Sequence, residues 1–443
     1  METRPPIPKN FDIEMQKKGM ILVEYKQTEI KKGIKLHTIK TEKFKTNLIA
    51  IMLTTKLNRE NVTKNALVPA VLRRGTKNLT TQEEINKKLE EMYGASLDCG
   101  LDKTGDNQVL KFYIETVNDE FLPQEAENML KTSLEKIFEF VFNPYLENGC
   151  FKKEYVEQEK ENIKQIIDGK IDNKARYSLD RCIEEMYKDQ PYGLYKYGYV
   201  EDLEKITPQD LYKYYKKMIS ECKIDIFCSG ILKNVEKIIK ENENIKNLEA
   251  RKANYVIDKK HVNNNKAVNY IQESMQVSQG KLVISLNIDS NIPNLAYIAS
   301  IYNAILGGGA NSRLFQNVRE KESLAYTAGS NYLKQKNVIF IRCGIEIENY
   351  EKALETIKVQ IENLKKGEIT EEDIENAKKL IIASVKSITS EQDTEITYYY
   401  GQELSGTFTT ITDYENKVNS VTKEQIVEIA NSVSINTIYF LKD

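Results

Sequence analysis

Few residues in this chain have the types and spacings that do chemistry, and the densest group of them lies in residues 301–332, IYNAILGGGANSRLFQNVREKESLAYTAGSNY. Arg319 and Tyr326 sit seven residues apart around Leu324. Gly307, Gly308 and Gly309 precede them, and glycines of this kind end a helix and leave room for close backbone approach. They follow no clear strand and no Lys-Ser or Lys-Thr pair follows them, so a phosphate-cradling loop is not expected. A plainer reading makes the stretch a tight helix–helix corner. Arg319 is then solvated or paired with Glu320 or Glu322, and Tyr326 is a half-buried core residue.

Other catalytic constellations are thin. The chain holds two histidines, His37 in a strand-like run and His261 in a polar segment, and no G-x-S-x-G elbow accompanies either. Six cysteines (Cys99, Cys150, Cys182, Cys222, Cys228, Cys343) are scattered without C-x-x-C pairs, as reduced, mostly buried thiols of a cytoplasmic protein would be. The acidic runs TEEDIEN and EYVEQEKEN read as solvated helix faces.

The elements that must position these residues follow from pattern. At 443 residues, two or three domains are expected. Lys+Arg 64 against Asp+Glu 66 gives a formal charge of −2, which offers no general attraction to nucleic acid or anionic membrane. The start, METRPPIPKNFDIEMQKKG, lacks the apolar core of a secretory signal, and no run reaches the length of a transmembrane helix. Residues 1–28 read as an irregular extension rich in proline. GIKLHTIKTEKFKTNLIAIML predicts two strands from Gly33. NVTKNALVPAVLRRGT predicts a short helix interrupted by Pro69 and closed at Gly75. Thr81 to Glu84 form a capping box, and LDCGLDKTGDNQVLKFYIETV a strand pair turning at Gly105-Asp106. Helices are predicted near 124–143 and 152–190, then one capped by Thr207 with Pro208 at its first position, leading to a strand at 223–228. Residues 233–265 read as an exposed linker.

A second unit then repeats the first in outline. It has a strand at 280–286, and a helix burying Tyr302, Ile305 and Leu306 before the glycines. A helix capped near Asn311 or Ser312 follows, burying Leu314, Phe315 and Val318. Next come a strand at 337–347, helices from Tyr350 and Thr370, and a capped helix from Thr422 running into a strand at 436–440. Thr207 and Thr422 open equivalent helices 215 residues apart. The chain reads as an internal duplication of an α+β unit, domains 29–232 and 266–443, each a mainly antiparallel sheet covered by helices on one side.

The string GGGANSRLFQNVREKESLAYT resembles the C-terminal-domain signature of the pitrilysin/insulinase family of zinc peptidases. GIKLHTIKTEKFKTN, ALVPAVLRRGT and REKESLAY resemble its metal-free bacterial subgroup across nearly the full chain after residue 28. That family carries H-x-x-E-H on a helix followed by Gly-Thr, two histidines for zinc and a glutamate to activate water, with a further glutamate downstream. Counted back from Gly75, those positions hold Ala66, Leu67, Val68, Pro69 and Ala70, and Ile166 occupies the downstream glutamate position. No metal or other cofactor is expected.

The resemblance implies that Arg319 and Tyr326 face a substrate chamber. Arg319 would orient the peptide, Tyr326 would donate a hydrogen bond to the oxyanion, and Gly307–Gly309 would allow close approach. It further implies a zinc-bearing paralogous peptidase subunit as partner, with a peptide held as an added strand on a sheet edge. The alternative is a non-proteolytic peptide-binding or assembly scaffold, which a name carried by some members of that subgroup would tie to elongation factor P modification. On either reading a homodimer is a possible state of the chain when alone.

Overall fold

The computed structural model describes residues 10–13, 24–123, 128–257, 267–289 and 291–443. His261, most of the proline-rich start and the end of the expected linker lie outside the described residues. The chain divides into two compact units: one of residues 1–168, 194–257 and 392–406, the other of 169–193, 258–391 and 407–443.

Within the first unit the strands are β1 (Asn10–Ile13), β2 (Glu24–Lys31), β3 (Ile34–Lys40), β4 (Thr46–Lys56), β5 (Ser96–Thr104), β6 (Asn107–Val117) and β7 (Lys223–Gly230). They form one sheet in the order β1-β2-β3-β7-β4-β6-β5, antiparallel except for β3 with β7. The second unit has β8 (Asn269–Ser274), β9 (Gly280–Ile288), β10 (Ala325–Leu333), β11 (Val338–Ile345) and β12 (Val433–Lys442), in the order β8-β12-β9-β11-β10. Here β8 with β12 is the parallel pair. Stripped of β1 and β2, the first sheet therefore has the topology of the second, with β5 and β10 as equivalent edges. Strand β2 runs across the boundary expected at residue 28, because its hydrogen bonds to β3 start at Glu24.

Helices α1 (Val62–Leu72), α2 (Gln82–Glu91), α3 (Met129–Phe142), α4 (Lys153–Asp168), α5 (Lys174–Met186) and α6 (Pro208–Glu221) precede β7. The capping box of α2 forms as expected, Thr81 and Glu84 satisfying each other's backbone donors. Pro69 does not interrupt α1, which is continuous around it. One helix was expected over 152–190; the chain instead breaks at Gly169, separating α4 from α5. Short helices at 235–241 and 243–247 occupy the segment read as a linker, and Val235, Ile239 and Ile245 are buried in the first core. Lys- and Asn-rich exposed faces hid those three apolar contacts.

The first core joins Ile49, Ile51 and Leu53 of β4 to Leu134 and Phe138 of α3 and Leu211 of α6. In the second unit, α7 (Leu295–Gly307), α8 (Tyr350–Lys365), α9 (Glu371–Ser387) and, after α10 (Gln392–Ser405), α11 (Lys423–Ser432) complete the helices used below. Leu282, Ile284 and Leu286 of β9 pack with Ile301, Tyr302 and Ile305 of α7 and Ile426 and Ile429 of α11.

These helices lie on one side of each sheet, as expected, but the other face is also covered. On the second sheet α5 does this, burying Cys182, Ile183 and Met186 against Val283, Phe340 and Tyr439. On the first sheet the cover is α10, from the C-terminal half of the sequence. Tyr399 stacks on Tyr25 of β2 with ring centroids 4.0 Å apart, and the Tyr400 hydroxyl lies 2.6 Å from Thr54 Oγ1. Glu403 accepts from Lys35 at 2.6 Å and pairs with Lys223 at 3.0 Å. Covering both faces explains why β4 carries an unbroken apolar run from Leu48 to Leu53.

Candidate functional site

Helix α1 places Ala66 and Ala70 one turn apart on one face, with Pro69 beside them. All three line a cavity of about 370 Å³, and Ile166 of α4 lines it too. The four positions matched to metal ligands and base therefore line the same cavity. Cys99 and Leu101 of the edge strand β5, Arg74 and Glu159 complete the part of the lining that bears on chemistry. Arg74 Nε donates to Glu159, which neutralises the cavity's one acidic group. The Cys99 thiol donates to the Pro69 carbonyl at 3.4 Å, and burial pushes it up to about 11.

Zinc does not fit these residues. Alanine, proline and isoleucine side chains offer no lone pair, the thiol is held protonated, and the carboxylate is already paired with a guanidinium. Among the described residues no three His, Cys, Asp or Glu side chains gather as a metal would need. Pro69 can take no proton from water, so a general base is missing as well.

The remaining histidine is sealed from substrate. His37 is fully buried, with Nδ1 2.8 Å from the Tyr25 hydroxyl and Nε2 2.9 Å from Asp225. Burial opposes ionisation of Asp225, but Lys223 and the His37 bond hold its carboxyl down to about 2. The network continues through Lys223 to Glu403 of α10, which also pairs with Lys35.

In the second unit the glycines have an internal reason. A Cβ on Gly307 would stand 2.7 Å from the Ser330 backbone nitrogen of β10, and one on Gly308 would stand 2.6 Å from the Ala304 Cα. The first lets α7 end against β10 and the second lets the chain fold back on the last turn of α7; Gly309 has more space, with Leu380 at 3.6 Å.

Beyond them the chain departs from regular geometry twice. Residues Phe315–Lys321 form a π-helical segment rather than the expected α-helix, and it carries Arg319. Such segments often mark functional sites. Leu314 and Val318 are buried as expected, but Phe315 is not. Its ring supports the Arg319 guanidinium at 4.5 Å, and Arg319 Nε lies 3.6 Å from Glu320. Glu322 pairs with Lys352 instead, at 3.0 Å.

The second irregularity is a bulge. Ala325 pairs with Ile345 and Thr327 with Gly344, leaving Tyr326 as the extra residue of the edge strand β10. The bulge turns its side chain outward, and Tyr326 is 60% exposed, not half-buried core. Its hydroxyl donates to Glu346 Oε1 at 2.5 Å, which raises its pKa. Glu346 was not singled out in the sequence, since it lies just beyond β11 and meets Tyr326 only because the bulge takes that residue out of register.

The geometry defines a duplicated α+β fold, and among the described residues the cavity beside α1 gathers no metal-ligating set. Comparison with known proteins places it. Residues 205–381 match the family described as Peptidase M16 inactive domain. The probable inactive metalloprotease YmfF of Bacillus subtilis is 33% identical over 417 residues, spanning 93% of this chain and 96% of that protein. A conserved protein of Enterococcus faecalis superposes with a TM-score of 0.85 at 27% identity, covering 94% of this chain and 98% of the other. An M16 inactive-domain structure from Pseudomonas fluorescens gives 0.74 at 17% identity, covering 95% and 98%. The chain belongs to the M16 peptidase family, in its inactive subgroup.

Proposed function

We propose that this protein is the zinc-less subunit of a two-chain peptidase of the pitrilysin/insulinase type. It would supply Arg319 and Tyr326 to hold a peptide cleaved by an H-x-x-E-H-bearing partner. The observation that carries the reading is the pair of irregularities, π segment and bulge, that present these two side chains on the surface of the second unit. Irregularities of this kind recur beside functional sites. The edge strand β5 borders the emptied cavity and offers unpaired backbone groups along which a peptide can add as a further strand. Among the described residues no helix is long and apolar enough to cross a membrane. A cytoplasmic setting agrees with six free thiols.

A second reading, a peptide-binding scaffold with no part in hydrolysis, has one observation in its favour. The Tyr326 proton is engaged by Glu346 and so is not offered to an oxyanion.

The test is peptide hydrolysis by this chain mixed with the H-x-x-E-H paralogue from the same genome. Only the wild-type mixture should cleave, and Arg319→Ala should lower its rate about 10²–10³-fold, as loss of a preorganised donor does. Equal cleavage by the paralogue alone sinks the half-site reading and leaves the scaffold.

A further inference from the structure

A tyrosine hydroxyl has one proton and two lone pairs. In Tyr326 the proton goes to Glu346, on the residue directly after β11, so what the tyrosine presents outward is an acceptor. Arg319 is the opposite: a guanidinium donates through all its nitrogens and accepts nothing. Its face is occupied by the Phe315 ring and its Nε lies 3.6 Å from Glu320, so a ligand oxygen would be met by the terminal nitrogens of a side chain that is 42% exposed.

We infer that Glu346 is a positioning residue that sets Tyr326 to accept a backbone N–H from a bound extended peptide, while Arg319 takes a backbone carbonyl. The two side chains then read the two halves of the peptide linkage and no side chain, so the ligand class is extended polypeptide of varied sequence. This rests on the peptide-holding role proposed above and changes the part played by Tyr326 within it, from oxyanion donor to amide acceptor. It also gives the bulge a purpose. An in-register residue at 326 would share the ladder, whereas the extra residue is free to meet Glu346 and the ligand together.

The experiment compares binding of a fluorescein-labelled alternating Ala–Thr peptide with its analogue in which alternate amides are esters. The ester keeps carbonyls and lacks the N–H donors. Wild type should favour the amide form, and Tyr326→Phe should shrink that preference about 2- to 10-fold, the worth of one hydrogen bond. Glu346→Ala should shrink it similarly although the tyrosine remains, because the freed hydroxyl can turn and donate to the ester carbonyl. Neither side chain belongs to the buried core, so both variants keep the fold. A preference unchanged in Tyr326→Phe, with binding intact, overturns the acceptor role alone. A preference lost in Tyr326→Phe but kept in Glu346→Ala overturns the role of Glu346. Absence of binding to either peptide overturns this inference and the peptide-holding reading together.

Discussion

Ala66, Pro69, Ala70 and Ile166 line one cavity without a lone pair among their side chains. Two of them stand one helical turn apart on α1 and another comes from α4, so the resemblance that matches them to metal ligands can be tested directly. Replacing Ala66→His, Ala70→His and Ile166→Glu together should therefore create binding of one zinc per chain, measured by equilibrium dialysis against the wild type, which should bind none. A triple variant that folds and still binds no zinc would show that the matched positions do not converge on one point. That these positions share a cavity could be read from the sequence, because helical spacing is local and Gly75-Thr76 anchors the count. Glu346 and the Phe315 platform could not. The first depends on a bulge that takes Tyr326 out of register and the second on a π turn, and an apolar residue at 315 fits a buried helix face equally well on paper.

At the scale of elements, α10 is held to the first sheet by groups of opposite pH behaviour. Glu403 is held below the usual carboxylate range by Lys223 against the effect of burial. Glu395, one side of the same helix, is 1% exposed, and neither of its oxygens has a hydrogen-bond partner among the described residues. Burial pushes it up to about 7, with Lys43 as the opposing charge. A carboxyl whose folded pKa exceeds its ordinary 4.5 stabilises the docked helix fully below about pH 4.5. That contribution is lost as pH rises to about 7, for a total of about 3 kcal/mol at roughly 1.4 kcal/mol per unit. Hydrogen exchange of residues 392–405 should therefore speed up between pH 5 and pH 7.5 beyond its chemical rate. Glu395→Gln should abolish that extra acceleration; an identical profile in the variant would assign the effect elsewhere. Pattern reading found α10 no role at all, because its partners Tyr25, Thr54 and Lys223 lie far earlier in the chain. By contrast, the capped helices at Thr81, Thr207, Thr370 and Thr422 and the apolar strands β3 to β7, β9, β11 and β12 were legible, since caps and alternation act within a few residues, whereas β1, β2, β8 and β10, polar and at or near sheet edges, were not.

For the whole molecule, the duplication was readable in the order of elements, while the traffic of segments was not. Residues 169–193 belong to the second unit and 392–406 to the first, contacts too distant in sequence for periodicity to register. This has a consequence for synthesis. As the chain leaves the ribosome, the first sheet is finished long before the helix that covers its second face exists. Until residue 406 emerges, the nascent first half exposes Tyr25 and Phe227 and leaves Lys35 and Lys223 without Glu403. A chain truncated after residue 257 should accordingly aggregate or bind chaperones. A version with residues 391–407 fused after 257 through a flexible linker should stay monodisperse by light scattering, and equal solubility of the two would contradict this. The molecule is thus completed late and from its far end, and no premature fragment of it can pass for a finished domain.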